Sequence, residues 1–150
     1  MKIEDEIKQQ NFKSEYHKLV INLKYTANWL SALHNKVLKS YGLSSQQFNV
    51  LRILKGQYPK PCNLLLIRDR MLDKESNASR LIDKLEVSGL TERVQCPKDR
   101  RQVDITITKK GIDLLDEMNP VIEDLSDRFN TLTEDEAKVM NFLLDKLRDK

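Results

Sequence analysis

The chain has 150 residues, of which 39% are hydrophobic and 33% charged, a composition that predicts one globular unit with a modest core. No apolar run approaches the roughly 18 residues of a membrane span, and the charged start 1–6 lacks the apolar segment of a secretion signal. We therefore expect no membrane partner and a cytoplasmic location. The net charge of +3 divides unevenly, with +6 over residues 1–62 and −6 over residues 112–150. This asymmetry suits a polyanion-binding surface, although ordinary surface variation also explains it.

The first half of the chain predicts three helices. Apolar residues recur at helical spacing from Tyr16 to about Tyr41–Gly42. The segment Ser44–Gln47 is a capping box, and it begins a helix that Gly56 should end. After a proline-containing loop, Asn63 can cap a short helix that reaches Met71.

A helix-turn-helix followed by a wing comes next. A break at 72–74 separates the short helix from a second one, Ser76–Ser88. Residues 103–108 alternate strictly between apolar and polar, which predicts a strand with residues 90–94 as its antiparallel partner. The polar connection between the strands carries three positive charges. We therefore predict a mainly α fold with a small β-wing, that is, a winged helix-turn-helix.

The C-terminal part is predicted to be helical. Thr108 can cap a helix with an apolar stripe that reaches Phe129, and Pro120 should bend or break this helix. Thr133–Glu136 is a second capping box. The terminal helices, at about 1–42 and 112–150, are too apolar to stand alone, so they predict a homodimer around a DNA-binding lobe at about 44–111. Packing within a monomer is the alternative.

The second helix of the pair offers side chains suited to DNA. In a major groove Asn can bond adenine, Arg can bond guanine and Ser can serve several bases, whereas lysines meet phosphates. Ser76 and Asn77 could instead only cap the helix. The candidate DNA-binding residues of this recognition helix are Lys74, Ser76, Asn77, Ser79, Arg80 and Lys84.

The tip of the wing adds a second candidate contact. Asp99 precedes Arg101 by two residues, so its carboxylate could orient the guanidinium toward a narrow minor groove. A surface ion pair is the plainer interpretation. The candidate wing residues are Lys98, Asp99, Arg100 and Arg101.

Two strings carry a family resemblance. Residues 79–93, beginning Ser79-Arg80-Leu81-Ile82-Asp83-Lys84-Leu85, and residues 99–111 resemble the recognition helix and wing of the MarR (multiple antibiotic resistance regulator) family. The resemblance implies a homodimer on a pseudo-palindromic operator, with Asp99 orienting Arg101 into the minor groove. Many relatives are repressors released by aromatic or phenolic ligands. Two departures stand out. The stretch 64–70 has a leucine run in place of the usual polar, alanine-containing helix, with Leu72 in place of a common turn glycine. The first helix also lacks the reactive cysteine of the peroxide-sensing branch of the family.

Other functions have weaker support. The chain has no phosphate-cradling loop, nucleophile elbow or metal-ligand spacing, so we expect no enzyme, no cofactor and no metal. Cys62 and Cys96 leave a redox response open, and a winged helix that binds only protein is a further alternative. Three first-helix residues could border a small-molecule pocket or the dimer seam instead: Tyr25, Trp29 and His34.

Overall fold

A computed structural model describes residues 1–95, 103–127 and 130–149 of the chain. Within these ranges the chain is mainly helical with one two-stranded antiparallel sheet, which confirms the predicted fold class. The elements in chain order are α1 Ile3–Glu6, α2 Glu15–Ser40, α3 Ser45–Gln57, α4 Leu64–Arg70, α5 Ala78–Val87, β1 Thr91–Gln95, β2 Val103–Ile107, α6 Lys109–Asp127 and α7 Glu134–Arg148.

Side-chain caps begin several of the helices where the sequence predicts them. Ser44 accepts a hydrogen bond from the Gln47 amide, and the Gln47 side chain accepts one from the Ser44 amide, which completes the predicted capping box. Asn63 caps α4 through the Leu66 amide at 2.8 Å. Thr133 and Glu136 form the second box at the start of α7. Capping is local, and this is why these starts can be predicted from sequence.

Helix α5 begins two residues later than predicted. Its N-cap is Asn77, whose Oδ1 accepts a hydrogen bond from the Arg80 amide at 3.0 Å. Ser76 lies in the preceding turn because its hydroxyl donates to Asp73 at 2.6 Å. The prediction that the helix starts at Ser76 is therefore wrong by two residues, and Asn77 is the N-cap of a recognition helix that runs from Ala78 to Val87.

The wing strands pair in a register that runs from Thr91 opposite Ile107 to Gln95 opposite Val103. Strand β1 is shifted by one residue from the predicted 90–94, and β2 ends one residue before the predicted 103–108. The structure adds a contact that the sequence does not predict. Cys62 forms an isolated antiparallel bridge with Ile105, with N–O distances of 2.8 and 2.7 Å. This bridge ties the loop before α4 to the second wing strand.

Helix α6 runs without interruption through Pro120, so the predicted break is wrong. A proline inside a helix costs about 3 kcal/mol because a hydrogen bond is lost and the ring clashes with the preceding turn. Here the helix is buried on both sides of the proline, through Leu115 and Met118 before it and Leu125 after it. Burying such side chains stabilises by about 1.5–3 kcal/mol each, which exceeds the cost of the proline.

The core lies around α3. This helix buries Val50, Leu51 and Leu54. They belong to one apolar cluster with buried residues of α2, α4, α5, β2 and α6. The short helix α1 was not predicted; its Ile3 is buried, and an ion pair of Glu4 with Lys18 at 2.5 Å joins it to α2. Among the helices in the described ranges, none combines the length and the apolar character that crossing a membrane requires.

The start of α6 packs tightly on the base of the wing. A Cβ added to Gly111 would lie 2.4 Å from the Leu90 carbonyl oxygen and 2.7 Å from the Ile107 Cγ1 atom. The Thr108 hydroxyl accepts a hydrogen bond from the Gly111 amide at 3.1 Å and donates to the Gly89 carbonyl at 2.8 Å. Only glycine therefore allows the helix to approach the wing this closely.

We predict that Gly111→Ala lowers the free energy of unfolding by about 1–3 kcal/mol, because the added methyl group would overlap backbone that cannot move aside. Urea denaturation measures the change. Gly56→Ala is the matched control, since nothing lies within 4 Å of its added Cβ and alanine favours the helix by up to about 1 kcal/mol. A Gly111→Ala protein as stable as the natural chain would contradict the tight packing.

Candidate nucleic-acid interface

The recognition helix α5 has one buried face and one exposed face. Ala78, Ile82 and Leu85 are buried against the core, while Ser79 and Lys84 are exposed. Because the buried residues recur at helical spacing, the helix cannot rotate without exposing them. The exposed face therefore holds the predicted DNA-binding side chains in a fixed direction.

The N-terminal part of α5 is polar and positively charged. Neither Arg80 nor Lys84 forms an ion pair with any residue that the structure describes. The positive end of the helix dipole lies near Arg80 in the first turn, whereas Lys84 lies in the last turn of the helix. With Gln46 of α3, Ser76, Asn77, Arg80 and Lys84 line a shallow cavity of about 300 Å³. The structure thus brings these four predicted residues together, and it leaves both cations available to phosphates or base edges.

Asp73 organises the turn that precedes α5. Its carboxylate accepts hydrogen bonds from the Ser76 hydroxyl at 2.6 Å, the Glu75 amide at 3.1 Å and the Gln46 side chain at 3.5 Å. These bonds, with that of Ser76 the largest, hold the pKa of Asp73 below its usual value. The Asn49 side chain accepts from the Leu72 amide at 2.9 Å. Side chains therefore fix a turn that contains no glycine.

Asp73 was missed by the sequence analysis, although its spacing offered a signal. An aspartate often accepts a hydrogen bond from the backbone amide two residues further on, which forms an Asx turn. The serine three residues after Asp73 strengthens this signal. Lys74, predicted to meet phosphate, lies in the same turn, and its ammonium group donates to the Asp69 carbonyl oxygen. The structure therefore places Lys74 beside the recognition helix but bonds it to α4.

Arg93 of β1 joins the wing to the recognition helix. Its guanidinium forms ion pairs with Asp83 and Glu86, both on α5. The hydrogen bond with Asp83 is the main reason that the pKa of Arg93 is raised. The pairing fixes β1 against α5 and offsets two carboxylates that would otherwise repel phosphate. The sequence shows Arg93 as part of the family resemblance but does not show this role.

The three predicted pocket residues do not come together on one face. Tyr25 and Trp29 are four residues apart and share a face of α2, whereas His34 is nine residues beyond Tyr25 and lies on the opposite face. The Tyr25 hydroxyl donates to Glu6 at 2.6 Å, which raises the pKa of Tyr25. The two large apolar grooves along α2 are lined by other residues, among them Leu19 and Leu23.

The cysteines divide between the described and undescribed parts of the chain. Cys62 is buried, and burial raises the pKa of its thiol, so little of the reactive thiolate forms at neutral pH. This placement disfavours Cys62 as a redox switch. Cys96 lies outside the described residues, as do the predicted wing contacts Lys98, Asp99, Arg100 and Arg101.

Comparison with known proteins supports the geometry. The model of the MarR family matches residues 43–103, which include α4, α5 and β1. The HTH-type transcriptional regulator YkoM of Bacillus subtilis is 35% identical over 109 residues, covering 72% of this chain and 70% of that protein. The chain belongs to the MarR family. It is therefore a winged helix-turn-helix transcription regulator of a DNA-binding family and not an enzyme.

Two solved structures show the same MarR fold. Bordetella bronchiseptica BpsR, whose DNA binding is regulated by 6-hydroxynicotinic acid, is 26% identical with a TM-score of 0.75, covering 88% of this chain and 99% of that chain. A mutant Escherichia coli MarR complexed with operator DNA is 22% identical with a TM-score of 0.79, covering 93% of this chain and 100% of that one. At 22% identity the likeness is one of fold alone.

We predict that the charge of Asp73 stabilises the fold only above acidic pH. Because its folded pKa lies below the unfolded value of about 3.9, its contribution is complete above that value and is lost as the pH falls through the folded pKa. Asp73→Asn removes the charge and keeps the shape. Urea unfolding should show a difference between the two proteins at pH 6 that shrinks at pH 3. The same difference at both pH values would show that the charge is irrelevant.

Proposed function

We propose that this MarR family member is a homodimeric repressor that binds a pseudo-palindromic operator and is released by a small aromatic or phenolic ligand. The observation that carries the DNA-binding part is the exposed face of α5. Asn77, Ser79 and Arg80 are exposed at its N-terminal end, while Ala78 and Ile82 hold the opposite face in the core. This arrangement presents donors for base edges and a cation for phosphate in one place.

Helix α7 supports the homodimer. It has no buried residue, and its apolar side chains are largely exposed, with Phe142 64% and Leu143 54% accessible. Val139, Leu143 and Leu147 line a groove of about 590 Å³ with residues of α2. An apolar face of this size on a single chain marks a contact surface.

The total exposed area points to a second copy as the occupant. The chain exposes 11334 Å², whereas a compact monomer of 17.6 kDa exposes about 7,900 Å². The excess of about 3,400 Å² is larger than the roughly 1,000–2,500 Å² that each protomer of an extensive dimer buries, so the chain exposes enough area for such an interface. Since both α2 and α7 belong to one chain, two copies can cover each other's grooves around a two-fold axis. This axis would place two copies of α5 about one DNA turn apart.

The wing is proposed as the second DNA contact. Strands β1 and β2 pair up to Gln95 opposite Val103, and the candidate wing residues belong to the segment 96–102 that follows β1 in the sequence. The resemblance assigns Asp99 the orienting role and Arg101 the contact with the minor groove. The narrow minor groove concentrates negative potential, which favours an inserted arginine.

A small aromatic effector is proposed by analogy with BpsR, whose DNA binding 6-hydroxynicotinic acid regulates. Trp29 is 44% exposed on α2 and shares its face with Tyr25. A phenol that binds near this face should quench the Trp29 fluorescence and release bound DNA at the same concentrations. Quenching without release would separate binding from regulation and would contradict an effector role.

We predict that Leu143→Asp disrupts the dimer, because it places a charge in the apolar contact. Light scattering at micromolar concentration should give about 35 kDa for the natural chain and a mass close to 17.6 kDa for the variant. Lys146→Asp is the matched control, since Lys146 is exposed on the same helix and lines neither apolar groove. A natural chain that is monomeric would contradict the proposal.

We predict that Arg101→Ala weakens operator binding by at least about fivefold, which corresponds to about 1 kcal/mol. Loss of one positive charge that displaces counterions from the DNA should also reduce the slope of log K against log salt by up to about 0.9. Fluorescence anisotropy over a salt series measures both quantities. Lys109→Ala serves as the control, because Asp113 already pairs with Lys109 at 2.8 Å. If both variants bind like the natural chain, the wing does not contact DNA.

A further inference from the structure

Two exposed leucines lie beside the DNA-binding end of α5. Leu64 is 40% and Leu65 55% exposed at the start of α4. They line a cavity of about 460 Å³ together with Arg68 and residues 76–79, which include the N-cap and first turn of the recognition helix. The cavity is thus mainly apolar, with polar side chains of the recognition helix and Arg68 along its edge. It is continuous with the surface that presents Asn77 and Ser79.

The core does not need these side chains. On α4 the buried residue is Ile67, and the apolar contact with the core also includes Leu66. Leu64 and Leu65 point away from that contact, where two polar residues would be better hydrated. Adjacent apolar side chains on such a surface mark a binding site more often than a single one does. Because they lie beside the first turn of α5, we expect them to contact the same DNA that α5 contacts.

The ligand must offer both an apolar group and a negative charge. Arg68 lines the same cavity and forms no ion pair with any residue in the described ranges, so it can meet a phosphate. Within the major groove of DNA, the C5-methyl group of thymine is the apolar feature that separates one base from the others. A thymine beside a phosphate therefore matches the apolar lining of the cavity and its cation.

We propose that Leu64 and Leu65 read a thymine methyl group in each half-site, with Arg68 fixing the adjacent phosphate. The proposal rests on the proposed function and adds a specificity determinant from the first helix of the helix-turn-helix. It gives the leucine-rich run, which departs from the family pattern, a role in choosing the operator. Arg68 supplies affinity without sequence preference, whereas the leucines supply the preference.

The test replaces thymine by deoxyuracil, which removes only the methyl group. The duplex is one enriched by the natural chain from random DNA, and each thymine is replaced in turn. At one position per half-site the replacement should weaken binding about threefold to fivefold, the value expected for one buried methyl group. The Leu64→Ala and Leu65→Ala proteins should each bind the thymine and deoxyuracil duplexes equally. The Leu65→Met protein, which keeps an apolar side chain of similar size, should still prefer the thymine duplex.

Val87→Ala is the matched control, because Val87 is an exposed apolar residue at the opposite end of α5. It should keep the preference for thymine. The proposal is overturned if no thymine position is sensitive to its methyl group, or if Leu64→Ala and Leu65→Ala weaken binding to both duplexes by the same factor. Failure to enrich any duplex would instead overturn the proposed function.

Discussion

The burial of one face of α5 is the constraint on which the functional surface depends. Ala78, Ile82 and Leu85 are locked into the core around α3. A helix of ten residues that buries three of them at this spacing has one orientation, so Ser79 and Arg80 must lie outside. Burial sets the direction of the reading side chains and does not depend on DNA being present.

Neighbouring polar contacts complete this orientation from both ends of the helix. Asp73 fixes the turn before α5, and Arg93 clamps its second half to the first wing strand. Gly111 then allows α6 to start directly against the wing base. The recognition helix, the wing and the first helix beyond the wing are therefore held together by direct contacts.

The helix starts that depend on local hydrogen bonds could be predicted from the sequence. The features that depend on contacts between distant parts of the folded chain could not. The caps at Ser44, Asn63 and Thr133 follow from spacing alone, because each bonds the amide three residues further along the chain. The later start of α5 depends on the Asp73 carboxylate, and the continuity of α6 through Pro120 depends on burial by distant residues. Arg93 could be recognised only as part of a family pattern, because its two partners lie seven and ten residues away.

The candidate site was predicted in the same uneven way. Asn77, Ser79 and Arg80 are exposed together as expected because they lie on one turn of one helix. Tyr25, Trp29 and His34 were grouped by chemistry rather than by helical period, and His34 lies on the other face of α2. Leu64 and Leu65 were noticed as a departure from the family pattern, and only their exposure beside α5 suggests a role.

We propose that two copies of α5 read two half-sites across a two-fold axis. Selection of bound duplexes from random DNA shows whether they do. We expect enrichment of an inverted repeat whose half-site centres lie about 10–10.5 base pairs apart. Enrichment of a single unrepeated site, or of no sequence at all, would contradict it.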